Sequence, residues 1–124
     1  MDYKLAKITK VGFGYQDRRI LVLNIFVDYE EIGSQNICGL VLDSYDNILK
    51  RRVGSAYGCE MIRTLLDTLG INEVEDARGK HIYVAGEGTG FQFKPFGFKT
   101  LKVDGEVKEM VFKDILTMFD NGEE

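Results

Sequence analysis

The residues best suited to chemistry sit in the stretch LKRRVGSAYGCE, residues 49–60, where three consecutive cations, Lys50, Arg51 and Arg52, stand just ahead of an expected helix. Unpaired backbone N–H groups and the macrodipole already favour negative charge at a helix start, so cations there gain most when an anion joins them. Gly54 and Gly58 would let a ligand approach the backbone, Ser55 offers a hydroxyl, and Tyr57 a stacking face. The ligand class this suits is a phosphate. No phosphate-loop spacing is present, however, and that favours a structural alternative in which the cations are solvated or pair with Asp43 and Asp46 and Gly54 serves as a turn. Adjacent residues on an extended lead-in point to opposite sides, so one of the two arginines should turn away from any shared ligand. A second pair, Arg18 and Arg19, follows Asp17 at a hairpin tip, where arginines are either solvated or grip a phosphate bidentately.

Other constellations carry less. The stretch GFQFKPFGFKTLK, residues 90–102, holds four phenylalanines and three lysines and comes within one residue of the K-G-F-G-F signature of ribonucleoprotein strands. It falls late in the chain, with proline in place of the first glycine, and a bulge at Pro95 would bring Phe91, Phe93, Phe96 and Phe98 to one side. That side is expected to be core, not a platform for bases. GEGTG, residues 86–90, lacks the Lys-Ser/Thr of a phosphate loop and reads as a hairpin turn. Ser55 and His81 have no G-x-S-x-G elbow to join them, and Glu30 and Glu31 point to opposite faces of a strand. With one histidine and two isolated cysteines, Cys38 and Cys59, neither a metal centre nor a cysteine nucleophile is supported. No catalytic residue, metal ligand or cofactor is assigned, which argues against an enzyme.

The elements that must hold these residues follow from patterning. At 124 residues and 44% hydrophobic content, residues 1–124 read as one domain, with residues 120–124 a frayed acidic tail. The net charge of −4 and pI near 5.1 oppose general nucleic-acid binding, which needs phosphate neutralisation. No run approaches a membrane span or a signal peptide, so a cytoplasmic location is expected. Residues 5–13, 20–31 and 36–43 read as an antiparallel meander, the second strand with its odd positions buried. A helix follows over 56–69, capped by Ser55 and ended by Gly70, then one helical turn capped by Asn72 and ending at Gly79. Residues 80–86 and 90–102 form two further strands, and 107–119 a last helix burying Val107, Met110, Val111, Ile115, Leu116 and Phe119. The predicted fold is α+β: an antiparallel sheet of about five strands in the order β-β-β-α-β-β-α, with two helices packed on it.

The succession VGFGYQDRRIL, DYEE, GLVLD, KRRVGSAYGCEMIRTLLDTLGI and EDARGKHIYV resembles a group of small uncharacterised bacteriophage and prophage proteins. Its members share an F-G-Y-D-D-R-like start, an R-x-G-T-A-Y-G-x-E-F-I-like helix start and an E-D-L-x-G-K-like turn. The resemblance spans residues 11–84; Gln16 stands where the pattern has Asp, and Cys59 lies between Gly58 and Glu60. It implies a phage accessory protein, acting in the infected host cell, that counters host defence by binding. Three readings follow. The first is a sponge for a nucleotide-type immune signal, held by Arg51, Arg52, Ser55 and Tyr57 at a subunit interface of a homo-oligomer. The second is an inhibitor bound to a host defence protein, with acidic residues imitating nucleic acid as in anti-CRISPR proteins. The third is a single-stranded nucleic-acid binder using the strand from Lys94 to Lys102.

Overall fold

The computed structural model describes residues 2–30, 33–88, 92–101 and 106–115. Its frame is an antiparallel sheet built from β1 (Asp2–Gln16), β2 (Ile20–Tyr29), β3 (Gly33–Asn36), β4 (Leu40–Val41), β7 (His81–Glu87), β8 (Lys94–Thr100) and β9 (Glu109–Val111). The spatial order is β3-β2-β1-β7-β8-β9, with β4 also paired to β2. A separate hairpin, β5 (Asp43–Asp46) with β6 (Arg51–Gly54), leads into helix α1 (Ala56–Leu69). The protein is thus α+β, as its patterning predicts, with seven strands in the main sheet instead of about five.

The core lies between one sheet face and α1. In β2 the odd residues Leu23, Ile25, Val27 and Tyr29 are buried, and Ala6, Ile8, Ile82, Val84 and Phe98 join them from neighbouring strands. Met61, Leu65 and Leu69 close the layer from the helix. The helix has the predicted limits because Ser55 accepts the Gly58 N–H and Gly70 adopts the left-handed conformation that ends it (φ 66°). Gly58 serves packing, not ligand approach: a Cβ there would come within 2.0 Å of the Leu42 carbonyl oxygen, so α1 can lie on Leu42 only through a glycine.

Two bulges set which rings enter the core. In β8, Pro95 pairs with Gly86 and Gly97 with Ala85, which leaves Phe96 as the extra residue. The parity change lets both Phe93 and Phe98 face inward, Phe93 edge-on to Tyr29 (centroids 6.1 Å) and Phe98 tilted against Phe112 (6.3 Å). Phe96 itself is half-buried, and Phe91 lies outside the described residues. In β1 the extra residue is Thr9, whose hydroxyl donates to the Phe26 carbonyl. Beyond it Val11, Phe13 and Tyr15 oppose Ile25, Leu23 and Leu21, so they join the helix side of the sheet.

Four expectations need correction. The third strand is interrupted, because the Asn36 side-chain carbonyl accepts the N–H groups of both Ile25 and Cys38, and after the Ile37 N–H bonds to the Ile25 carbonyl oxygen the ladder breaks until Leu40. The stretch before α1 is a hairpin, not a simple lead-in. The turn near residue 75 is capped by Glu73 with Asp76, one residue later than the predicted Asn72 and Glu75. The last helix does not begin at Val107, which is half-exposed: Glu109–Val111 pairs with β8, and helix starts only at 112, with Phe112 and Ile115 buried. Met110 is inward in either conformation, but Phe98 lies directly opposite, so the sheet takes it. The predicted helix beyond 115 and the acidic tail lie outside the described residues.

Candidate functional site

Arg19 of the first arginine pair and both arginines of the second, some thirty residues apart in sequence, meet in space. Tyr15, Arg19, Leu21, Asp43, Arg51, Arg52, Val53 and Gly54 line one cleft of about 480 Å³ beside the start of α1. The β1–β2 hairpin delivers Tyr15 and Arg19 to it, and the β5–β6 hairpin delivers Arg51 and Arg52. Tyr15 is 68% exposed, and the Arg19 guanidinium lies 5.3 Å from its ring centroid, a cation–π contact at the mouth of the cleft. Arg19 holds a left-handed backbone conformation (φ 59°) that a side chain disfavours by roughly 1–2 kcal/mol. The Arg18 side chain falls outside the described ones.

Arg51 and Arg52 diverge. Arg52 turns inward, its Nε and Nη2 donating to Asp43 Oδ1 at 2.9 and 2.6 Å and Nη2 also to the Asp43 carbonyl oxygen. The carboxylate is only 6% exposed, and its second oxygen accepts the Leu21 N–H at 3.2 Å, so the pair fastens the hairpin to β2. These contacts, above all the Arg52 hydrogen bond, hold the Asp43 carboxyl below the usual carboxylate range and raise the Arg52 guanidinium. Arg51 is exposed and its Nη1 donates to the Arg52 carbonyl oxygen. Among the described residues no carboxylate lies within ion-pair distance of Arg51 or Arg19. The cleft therefore carries one neutralised guanidinium and two with no carboxylate partner among the described residues.

The other sequence candidates take different places. Ser55 gives its proton to the Leu42 carbonyl oxygen (2.6 Å) and accepts the Gly58 N–H (3.0 Å), so it works as a cap. Tyr57 packs half-buried against the core, with its phenol pushed up first by burial and then by Cys38 nearby. Gly54 lines the cleft in open space. The aromatic that does stand in the cleft is Tyr15, which sequence patterning does not single out; the available signal is its place four residues before Arg19 in the same hairpin. Among the described residues no group of three or more His, Cys, Asp or Glu side chains converges as a metal site would require, and no helix is long and apolar enough to cross a membrane.

Next to the cleft opens a second cavity of about 330 Å³, lined by Phe13, Leu21, Leu42, Gly54, Ser55, Gly58, Cys59, Ile62 and Arg63. The Thr9 bulge creates it by turning Phe13 to the helix side at a point where the ring remains 50% exposed. Neither a family model, nor a curated protein, nor a solved structure matches the chain.

Proposed function

We propose that this is a phage accessory protein that counters host defence by non-catalytic binding, sequestering a nucleotide-type immune signal in the cleft between Tyr15, Arg19 and Arg51. The observation that carries the reading is the meeting of two distant arginine-bearing turns on one concave surface, with two guanidiniums left without carboxylate partners among the described residues. Guanidiniums matched to phosphate in a cleft with an aromatic wall suit a nucleotide-type anion. The phage setting rests on the sequence resemblance, and self-association and action in the host cytoplasm belong to the same reading. The test is incubation with a panel of mononucleotides and cyclic oligonucleotides, with binding followed by calorimetry and the small molecules recovered by heat and chromatography. Saturable binding with intact recovery is the expected result; a turned-over compound, or no binding by any member, overturns the reading.

A second reading, an inhibitor seated on a host defence protein, is favoured by the tip of the β5–β6 hairpin. There Asp46 Oδ1 accepts the N–H groups of Ile48 and Leu49, each at 2.8 Å, and so fixes a turn that presents Ile48, 89% exposed, beside Leu49 and Tyr45. Charge at the tip separates the readings: an Ile48→Asp, Leu49→Asp protein that loses defence suppression in infected cells but keeps nucleotide affinity supports the inhibitor. The third reading has little to use, since the Phe93 and Phe98 rings are buried and present no face to a base.

A further inference from the structure

The apolar chamber beside the arginine cleft has no role in anion capture, yet the two adjoin across Leu21 and Gly54, which line both. Its walls are the Phe13 ring, Leu21, Leu42 and Ile62, with Cys59 and the exposed Arg63 at the rim. Among the described residues Ser55 brings the one hydroxyl of the lining, and its proton is committed to the Leu42 carbonyl oxygen. An apolar surface of this kind accepts an apolar or planar group, and the polar side chains at its rim, Cys59 and Arg63, are solvent-exposed and not enclosed with the ligand. Resting on the nucleotide reading above, we infer that the cleft and chamber form one bipartite site in which the arginines hold phosphate and the chamber takes the base-bearing body of the ligand by area and stacking alone. The site discriminates by phosphate charge and by the presence of a ring system, not by which base is attached. Strong specificity at a base edge requires enclosed donors and acceptors that lose their partners when the wrong base enters, whereas the Arg63 guanidinium at this rim stays in water whichever base is present.

Gly54 makes the inference testable, because a Cβ built there meets nothing within 4 Å and its backbone is not left-handed, so a side chain can be added without straining the fold. The side chain would stand at the seam. The experiment titrates wild-type and Gly54→Leu proteins with ATP, GTP, CTP, UTP and inorganic tripolyphosphate, and follows alkylation of Cys59 by iodoacetamide with and without each. The expected result is four nucleotides within about threefold of one another, tripolyphosphate at least about tenfold weaker, and Cys59 protected by nucleotides but not by tripolyphosphate. Gly54→Leu should bring nucleotide affinity down to that of tripolyphosphate measured on the same variant, with the melting temperature unchanged. Tripolyphosphate binding as tightly as the nucleotides, a preference for one base beyond about thirtyfold, or full nucleotide affinity in Gly54→Leu overturns the bipartite site and leaves the arginine cleft standing. Binding by none of the five overturns both.

Discussion

Two bulged strands in this protein carry similar cargo to opposite ends. Both β1 and β8 bring aromatic rings and cations past a bulge that changes the side-chain parity, Thr9 in one and Phe96 in the other. In β8 the change places Phe93 and Phe98 beneath the helical layer, where both rings are enclosed by core. In β1 it places Phe13 and Tyr15 on the same helix-bearing side but at the start of α1, where they stay half-exposed or more. The difference lies in what stands opposite each ring. An aromatic strand becomes core or a binding wall according to whether another element reaches far enough to cover it, and composition alone does not say which.

The sharpest way to break this comparison is to delete one ring from each strand. Phe98→Ala should cost about 3–5 kcal/mol in urea unfolding, since a fully enclosed ring leaves a cavity, whereas Phe13→Ala should cost less than about 1 kcal/mol. Equal costs would show that Phe13 is covered in solution. Next comes the pair of glycines flanking the helix cap. Gly58→Ala must push α1 off Leu42 and should lose about 1–3 kcal/mol, while Gly54→Ala should stay within about 0.5 kcal/mol.

The arginines separate in the same manner. Arg52→Ala should lower the melting temperature by several degrees because it leaves the enclosed Asp43 carboxylate unpaired, and Arg51→Ala should leave it unchanged. The Asp43 contribution has a defined pH sense. Its folded pKa is depressed, so the stabilisation is fully present above the unfolded carboxylate value of about 3.9 and is lost as pH falls through the lower folded value. The stability difference between wild type and Asp43→Asn should therefore shrink as pH is taken below about 4, measured by thermal melts across the acid range. A difference independent of pH would mean that Asp43 is not the charged partner.

The smallest stability effect is expected where the functional effect is large. Arg19→Gly keeps the left-handed turn and removes the guanidinium, so stability should hold or rise by up to about 1 kcal/mol while anion affinity drops about tenfold or more. Affinity and stability falling together would make Arg19 structural. The cysteines supply a control in the same measurements: iodoacetamide at neutral pH should label exposed Cys59 and spare Cys38, whose thiol burial pushes up to about 12.

Much of the frame was legible in the chain because it is written in local pattern. The alternation of β2, the limits of α1 with Ser55 and Gly70 at its ends, and β7 depend on side-chain period and capping chemistry within a few residues. So did the expectation that the phenylalanine strand is core, although the bulge falls at Phe96 instead of Pro95. The β5–β6 hairpin was not legible, because it is held by an ion pair between residues nine apart and a polar turn, with little alternation to mark it. The helix predicted over 107–119 failed at its start, since Met110 satisfies either period and only the facing Phe98 decides for strand. The candidate site divides along the same line. Local pattern places Arg18 and Arg19 in a hairpin turn and Arg51 and Arg52 ahead of a capped helix. Long-range packing sets the rest: Arg19 and Arg51 line one cleft with Tyr15, Arg52 pairs with Asp43, and Ser55 and Tyr57 cap the helix and pack on the core, because each outcome depends on which distant backbone comes to lie opposite.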